Sequence, residues 1–321
     1  MTVRIRNYEE GDLPVLVDLI NVADAVDGME RGTSLQEMKD LFGRPSLDPK
    51  RDVFLAEVES QVVAYGCLTT ERDEHTCVFR LQGEVHPEWR GQGIGTQMMG
   101  RMIAAAQARR AELDDQTVYV SAGCVAGEED RESLFRSFGL APARYFFKMT
   151  CQPLDDRIPV PQPPPGIVLR PYVADQDERA VWAAVNEAFR DHWGHVEMPF
   201  EEWTFWMKSP FLKPELHVLA VDGDEIAGVC LIEINKEENM RTGRREGWVD
   251  TLCVRRPYRR RGVGEALLLA GLHKLRDAGL EIAALGTDAE NLTGAVRLYE
   301  RVGFREARRW VNYRMMISNS Q

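Results

Sequence analysis

The chain carries one series of motifs twice. Val85-His-Pro-Glu-Trp-Arg-Gly-Gln-Gly-Ile-Gly95 aligns with Val254-Arg-Arg-Pro-Tyr-Arg-Arg-Arg-Gly-Val-Gly264, an offset of 169 residues. Leu134-Phe-Arg-Ser-Phe-Gly-Leu140 aligns with Leu298-Tyr-Glu-Arg-Val-Gly-Phe304, an offset of 164. Ile5-Arg6 and Leu169-Arg170 open the two halves, again 164 apart. Three matches in one order at nearly one offset make a duplicated domain of about 150 residues, each copy long enough to bury its own core. A proline-rich run, Ile158-Pro-Val-Pro-Gln-Pro-Pro-Pro-Gly166, falls between the copies. Short of backbone donors, it reads as an extended spacer. The expected division is residues 1–152, a linker at 153–166, and residues 167–321.

Periodicity gives both copies similar elements. In the second, Ile167–Tyr172 reads as a strand, Glu178–Trp193 and Phe200–Met207 as helices, and Leu216–Val221 and Ile226–Ile234 as a hairpin. Trp248–Val254 is a strand, Val263–Ala278 a helix with Leu267, Leu268, Leu272 and Leu275 on one side, and Ile282–Thr287 a strand. Thr293–Val302 is a helix and Trp310–Ile317 the last strand. In the first copy the middle strands are Val53–Val58, Val62–Thr69 and Val78–Val85. Adjacent hairpins plus a strand–helix–strand crossover predict an α/β (α+β) fold, each copy a mixed, largely antiparallel sheet flanked by helices.

Composition narrows the setting. The chain is 44% hydrophobic and 28% charged, as folded soluble domains are, and has a net charge of −11. That charge argues against nucleic acid as a partner. No run approaches the length of a membrane span, and the first residues lack a signal-peptide pattern, so a cytoplasmic protein is expected. The six cysteines show no ligand-like spacing and read as reduced thiols. His192 and His195 lie three apart with no third ligand nearby, so no metal is expected.

Inside this acidic chain, Arg255, Arg256, Arg259, Arg260 and Arg261 form a basic patch. Arg259-x-x-Gly262-x-Gly264 sits between a strand and a helix. Such a loop suits a phosphate: glycine lets backbone approach the ligand, and the first N–H groups of the helix lack internal partners. The first copy offers Val85, Arg90, Gly91, Gln92, Gly93, Ile94 and Gly95 at the equivalent place as a second possible site. There is no Gly-Lys-Ser/Thr for a nucleoside triphosphate. The preceding hairpin argues against a dinucleotide-binding βαβ unit.

The stretch Leu252–Leu267 resembles the acyl-CoA signature of the GCN5-related N-acetyltransferases (GNAT), and Asn291-Leu-Thr-Gly-Ala-Val-Arg-Leu-Tyr-Glu-Arg-Val-Gly-Phe304 resembles that family's second motif. Two motifs in order, about 30 residues apart, make the resemblance specific, and it covers nearly all of both halves. The tandem arrangement with a degenerate first copy is similar to the mycothiol synthase type.

The resemblance implies an acetyl-CoA:amine N-acetyltransferase acting by direct transfer, with the second copy catalytic and a small-molecule amine as acceptor. It implies that Arg259, Arg260, Arg261, Gly262, Val263 and Gly264 hold the pyrophosphate of acetyl-CoA. The backbone N–H of Val254, beside Cys253, would polarise the thioester, and Asn291 would bond the pantetheine or cap a helix. A base must keep the amine neutral. Asp250, which interrupts an apolar strand and by alternation shares a face with Leu252 and Val254, is the first candidate, and Glu246 the second. Tyr299 matches the family's acid. The mycothiol synthase type carries a glutamate where Trp248 stands here, a departure that leaves open whether its base and its acceptor carry over. Glu187, Asp191, His192 and Glu202 are candidates for orienting a cationic acceptor. In the first copy Phe135 replaces the tyrosine, Leu81 the aspartate and Gly127 the asparagine. Protein acetylation and acyl-CoA binding without catalysis are the alternatives. Oligomeric state is not legible.

Overall fold

The computed structural model describes residues 2–29, 32–110, 113, 117–290 and 294–318. The chain forms two compact units, Met1–Arg144 with Trp310–Gln321, and Tyr145–Arg309. These bounds differ from the expected division at 152 and 167, because the outer strand of each sheet comes from outside the half it completes.

Unit 1 runs β1 (Arg4–Asn7), α1 (Leu13–Val26), α2 (Leu35–Phe42), α3 (Pro49–Asp52), β2 (Val53–Val58), β3 (Gln61–Arg72), β4 (Thr76–Val85), α4 (Ile94–Arg110), β5 (Thr117–Val125) and α5 (Glu129–Ser137). The chain leaves through β6 (Ala141–Cys151). Strands β1 to β4 pair antiparallel in sequence order, and β4 pairs parallel with β5. Unit 2 runs β7 (Val168–Pro171), α6 (Glu178–Phe189), α7 (Phe200–Met207), β8 (Val218–Asp222), β9 (Glu225–Glu233), α8 (Lys236–Thr242), β10 (Glu246–Val254), α9 (Val263–Asp277), β11 (Ile282–Asp288) and α10 (Ala295–Val302), and ends in β12 (Arg305–Met316). Its sheet repeats the first: antiparallel from β7 to β10, then β10 parallel with β11. The mixed, largely antiparallel sheet is thus present in both units.

The sheets are finished by exchange. Phe146–Cys151 of β6 lies antiparallel on β11, and Trp310–Met316 of β12 lies antiparallel on β5. Val311, Tyr313 and Ile317 are buried in the core of unit 1 with Phe79, Val120 and Phe135. The Tyr313 hydroxyl donates to Glu132 and accepts from Arg136 at 2.8 Å. Residues 153–166, expected as a spacer, belong to unit 2. Leu154 is buried and its N–H donates to the Glu281 carbonyl, and the His273 ring meets the Pro159 carbonyl at 3.0 Å.

Each repeat opens on the same charge pair. Arg6 of β1 grips both oxygens of Asp12 at 2.7 and 2.8 Å, and Arg170 of β7 grips both oxygens of Asp177 at 2.7 Å. Asp12 and Asp177 are the N-cap residues of α1 and α6. A two-pronged guanidinium–carboxylate bond therefore ties the first strand to the first helix, with the negative charge at the favourable helix end.

In unit 2 the sheet lies between two helical layers. Leu267, Leu268, Leu272 and Leu275 of α9 pack with Cys230, Ile232 and Val249 on one face. Val181, Ala184, Ala188 and Trp203 of α6 and α7 pack with Leu219, Val229 and Leu231 on the other. The helix expected over Glu178–Trp193 ends at Phe189. Helix α8 was not expected: its polar residues give no apolar period, although Asn235 caps it by accepting from the Glu238 N–H at 3.0 Å and Gly243 ends it at φ 66.

The exchange yields a test. Ending the chain after Arg309 removes Val311, Tyr313 and Ile317 from unit 1 and leaves the sequence of unit 2 intact. Hydrogen exchange should show protection lost in β4 and β5 and retained in β8 to β10. Equal loss in both units would contradict this division.

Candidate active site

In unit 2, β10 and β11 pair only through Glu246↔Ile282, Gly247↔Ala283 and Trp248↔Ala284. Beyond that point β10 continues to Val254 beside β9, and β11 continues to Asp288 beside β6. The two strands part, and their facing backbone edges lack each other as partners. The register between β9 and β10 shifts where they part: Val249 pairs with Ile232 and Thr251 with Leu231. Asp250 is the extra residue of a β-bulge, which bends a strand and re-aims a side chain. The bulge corrects the expected alternation. Val249 groups with Leu252 and Val254 on the α9 face, so period two does not carry through Asp250.

Asp250 is exposed by surface area and yet closely surrounded by protein, as a group lining a narrow cleft is. Enclosure governs its protonation and raises its carboxyl above the ordinary range, against a 2.8 Å hydrogen bond from the Thr251 hydroxyl. Tyr299, on the buried face of α10, packs against Phe304. Burial, with the nearby Cys230 and Cys253 thiols, lifts its phenol above the usual tyrosine range, which keeps it protonated. Among the described residues its hydroxyl makes no hydrogen bond. Burial pushes the Cys253 thiol up to about 12, so it is a neutral wall and not a nucleophile.

The loop from β10 to α9 lies at the open end. Gly262 holds φ 90, and a Cβ there would meet nothing within 4 Å, so the space before the α9 N-terminus is clear. Val263, Gly264 and Glu265 begin the helix, where N–H groups have no internal acceptor. Arg260 and Arg261 are exposed. Among the described residues Arg260 makes no hydrogen bond or ion pair, and Arg261 only overlies the Tyr258 ring at 5.5 Å. Two free guanidiniums beside a cleared helix start fit a pyrophosphate. Arg260 takes φ 61, a left-handed conformation unusual for a residue with a side chain.

Arg259 has a different task. Its guanidinium donates to the Val254 carbonyl at 3.0 Å, the Ala188 carbonyl at 2.8 Å and Asp191 at 2.7 Å. With its donors occupied by protein, it clips the loop to β10 and α6 and does not face an anion. Asp191 also accepts from Arg256 at 3.0 Å, and Glu187 accepts from Arg255 at 2.6 Å. The bonds from Arg256 and Arg259 hold the Asp191 carboxyl well below its ordinary range. Both carboxylates, expected to face an acceptor, instead brace the arginine loop. His192 remains near the cleft: enclosure lowers its pKa and Asp288, at the end of β11, opposes that shift. Asp288 was missed in sequence because it ends an ordinary strand. Glu202 is half-buried on α7. Asn291 lies outside the described residues.

Glu246 is corrected as a base. It is buried at the paired start of β10, with Lys148 at 2.7 Å and Arg244 at 2.6 Å. Both of its oxygens are engaged by cations at the paired end of β10, before the strands part. Lys148 also overlies Trp248 at 4.8 Å. Unit 1 keeps the clip: Arg90 donates to the Val85 carbonyl at 3.1 Å and to Asp27 at 2.5 and 2.9 Å. Gly91 and Gln92 stand where unit 2 has the free arginines, Gly93 holds φ 78, and Ile94 and Gly95 begin α4. Chemical denaturation should find Glu246→Ala destabilised by about 1–3 kcal/mol, because the half-buried Lys148 and Arg244 lose their carboxylate. A stability unchanged within error would return Glu246 to the list of bases.

Residues 179–304 match the model of the acetyltransferase (GNAT) family, and residues 49–139 match a GNAT acetyltransferase domain model. A mycothiol acetyltransferase of Pseudarthrobacter chlorophenolicus is 33% identical over 70% of this chain, a match spanning 66% of that protein. A mycothiol acetyltransferase of Thermobispora bispora is 33% identical over 68% of this chain and 70% of its own length. The crystal structure of a GCN5-related N-acetyltransferase from Sphaerobacter thermophilus, 30% identical, aligns with a TM-score of 0.77 over 98% of this chain and 95% of that one. With two such domains, a wedge-split sheet and a glycine–arginine loop at its open end, the chain belongs to the GCN5-related N-acetyltransferase family and is a tandem-domain N-acetyltransferase.

Proposed function

We propose that unit 2 transfers acetyl from acetyl-CoA directly to the primary amine of a small molecule. The observation that carries this reading is the wedge between β10 and β11, lined by Asp250 at its bulge and bounded by the α9 loop. The unpaired strand edges suit the amide groups of a pantetheine arm, much as a sheet edge takes an added strand. Arg260, Arg261 and the first N–H groups of α9 suit the pyrophosphate. Acetyl-CoA supplies the activated acyl group, and the protein's part is to position groups and move protons.

In this reading the Val254 N–H faces the thioester oxygen, and the Arg259 bond to the Val254 carbonyl, with the Arg255 N–H bonded to the Ala227 carbonyl, fixes the peptide that follows it. Asp250 takes the proton of the incoming amine, directly or through water. Its raised pKa makes it a better proton acceptor than an ordinary aspartate. Tyr299 gives a proton to the departing thiolate, which its raised pKa permits by keeping the phenol protonated. The relatives named as mycothiol acetyltransferases support a small polar amine as acceptor. His192 and Glu202 are its nearest orienting candidates, now that Glu187 and Asp191 are engaged by arginines.

Asp250→Asn and Tyr299→Phe should each lower kcat by about 10²–10⁴-fold with acetyl-CoA affinity unchanged. Since Asp250 must be deprotonated, activity should rise with pH through a limb above the ordinary aspartate value of about 3.9, and Asp250→Asn should remove that limb. The raised pKa also means that the ionised form is disfavoured in the folded state. Asp250→Asn should therefore not destabilise the protein at pH 7. Wild-type turnover in both variants would exclude these roles. Calorimetric titration with acetyl-CoA should find binding weakened at least about a hundredfold by Gly262→Glu, which sets a carboxylate in the cleared space. Equal affinity would remove the loop from the donor site.

A further inference from the structure

The two units share the loop clip and differ in the wedge. In unit 1, β4 and β5 stay paired from Thr76↔Thr117 through Leu81↔Ala122, and the register between β3 and β4 has no shift. Only the ends, Gln82–Val85 and Gly123–Val125, are left to part. One side chain spans that gap. Arg131 of α5 bonds the Glu84 carboxylate on β4 and donates to the Gly83 carbonyl at 3.4 Å. It lies 3.4 Å from Glu128, whose carboxylate accepts the N–H of Val125, the last residue of β5, at 3.1 Å. It also lies 3.5 Å from Asp27, the carboxylate that grips loop residue Arg90. A single guanidinium thus joins the end of β4, the end of β5 and the loop clip.

The repeat shows what stands in its place in unit 2. At the offset that aligns Phe135 with Tyr299, Arg131 aligns with Ala295, the first residue of α10. At the offset that aligns Val85 with Val254, Glu84 aligns with Cys253. At these two positions unit 2 has a methyl group and a neutral thiol, where unit 1 holds a guanidinium and its carboxylate, and among the described residues no ion pair of this kind joins the ends of β10 and β11. The loops differ in the same sense. Gly91 and Gln92 replace Arg260 and Arg261, so unit 1 has no free cation at this loop to draw an anion.

We propose that Arg131 bolts the wedge of unit 1 against the acyl-pantetheine arm, and that this helix position, arginine in one copy and alanine in the other, acts together with the missing loop cations to keep the first copy from the thioester. The proposal rests on the acyl-CoA reading of unit 2. It treats unit 1 as a closed copy of a donor site, shut by one ion-pair network.

The test uses the full chain with Gly262→Glu, so that only unit 1 can bind, and titrates acetyl-CoA by calorimetry. Wild type should bind one equivalent and Gly262→Glu none. Adding Gly91→Arg and Gln92→Arg supplies the loop cations and should still give no binding while Arg131 remains. Adding Arg131→Ala as well should restore one equivalent. Thermal melts verify folding. Should the stranded carboxylates prevent it, Glu84→Gln is added to remove the nearest charge, and the same restoration is expected. Binding with Arg131 in place, or none from a folded variant lacking it, overturns the bolt. A second equivalent in the wild type that survives Gly262→Glu overturns it too. No binding by the wild type overturns the acyl-CoA reading itself, and the bolt with it.

Discussion

The cleft of unit 2 depends on where two parallel strands stop pairing. Strands β10 and β11 share a short ladder and then part beside the residue inserted at Asp250. A bulge costs one ladder position and in return bends the strand. The cleft that results is lined by backbone groups whose usual partners have been moved away. Asp250 is enclosed because it sits in that cleft, and the enclosure raises its pKa. The α9 loop lies at the mouth because β10, released from β11, runs straight into it.

Around this opening the charges divide into those that hold the scaffold and those left available. Arg259 bonds Val254, Ala188 and Asp191, and its counterpart Arg90 bonds Val85 and Asp27. The same clip in both units shows that this arginine keeps strand, loop and first helix together. Arg260 and Arg261 stay uncommitted because the neighbouring carboxylates, Glu187 and Asp191, are taken by Arg255, Arg256 and Arg259. An ion pair already satisfied inside the protein gains little from a ligand, so only leftover cations make an anion site.

Much of the candidate site was legible because its residues form short linear motifs. Gly262, Gly264 and the arginines around them lie within one loop, and Tyr299 is marked by the repeat that sets Phe135 against it. Partners were not legible. Glu246 and Asp250 are four residues apart on one strand, and sequence ranks them only by preference. Lys148 and Arg244 neutralise one, and a bulge isolates the other. Glu187 and Asp191 look like substrate carboxylates until folding brings Arg255, Arg256 and Arg259 against them.

The duplication, the sheet type and the place of the anion loop follow from the chain alone, since spacing and hydrophobic period are local properties. The pairing of the outer strands does not. Val311 and Tyr313 alternate with half-buried neighbours, and that pattern suits either sheet equally well. Only the tertiary structure assigns Trp310–Met316 to β5 and Phe146–Cys151 to β11, because hydrogen-bond partners across a sheet are chosen by which cores the side chains fill. The same holds for the wedge. A bulge is a mismatch between two strands, and it exists only once both are in register.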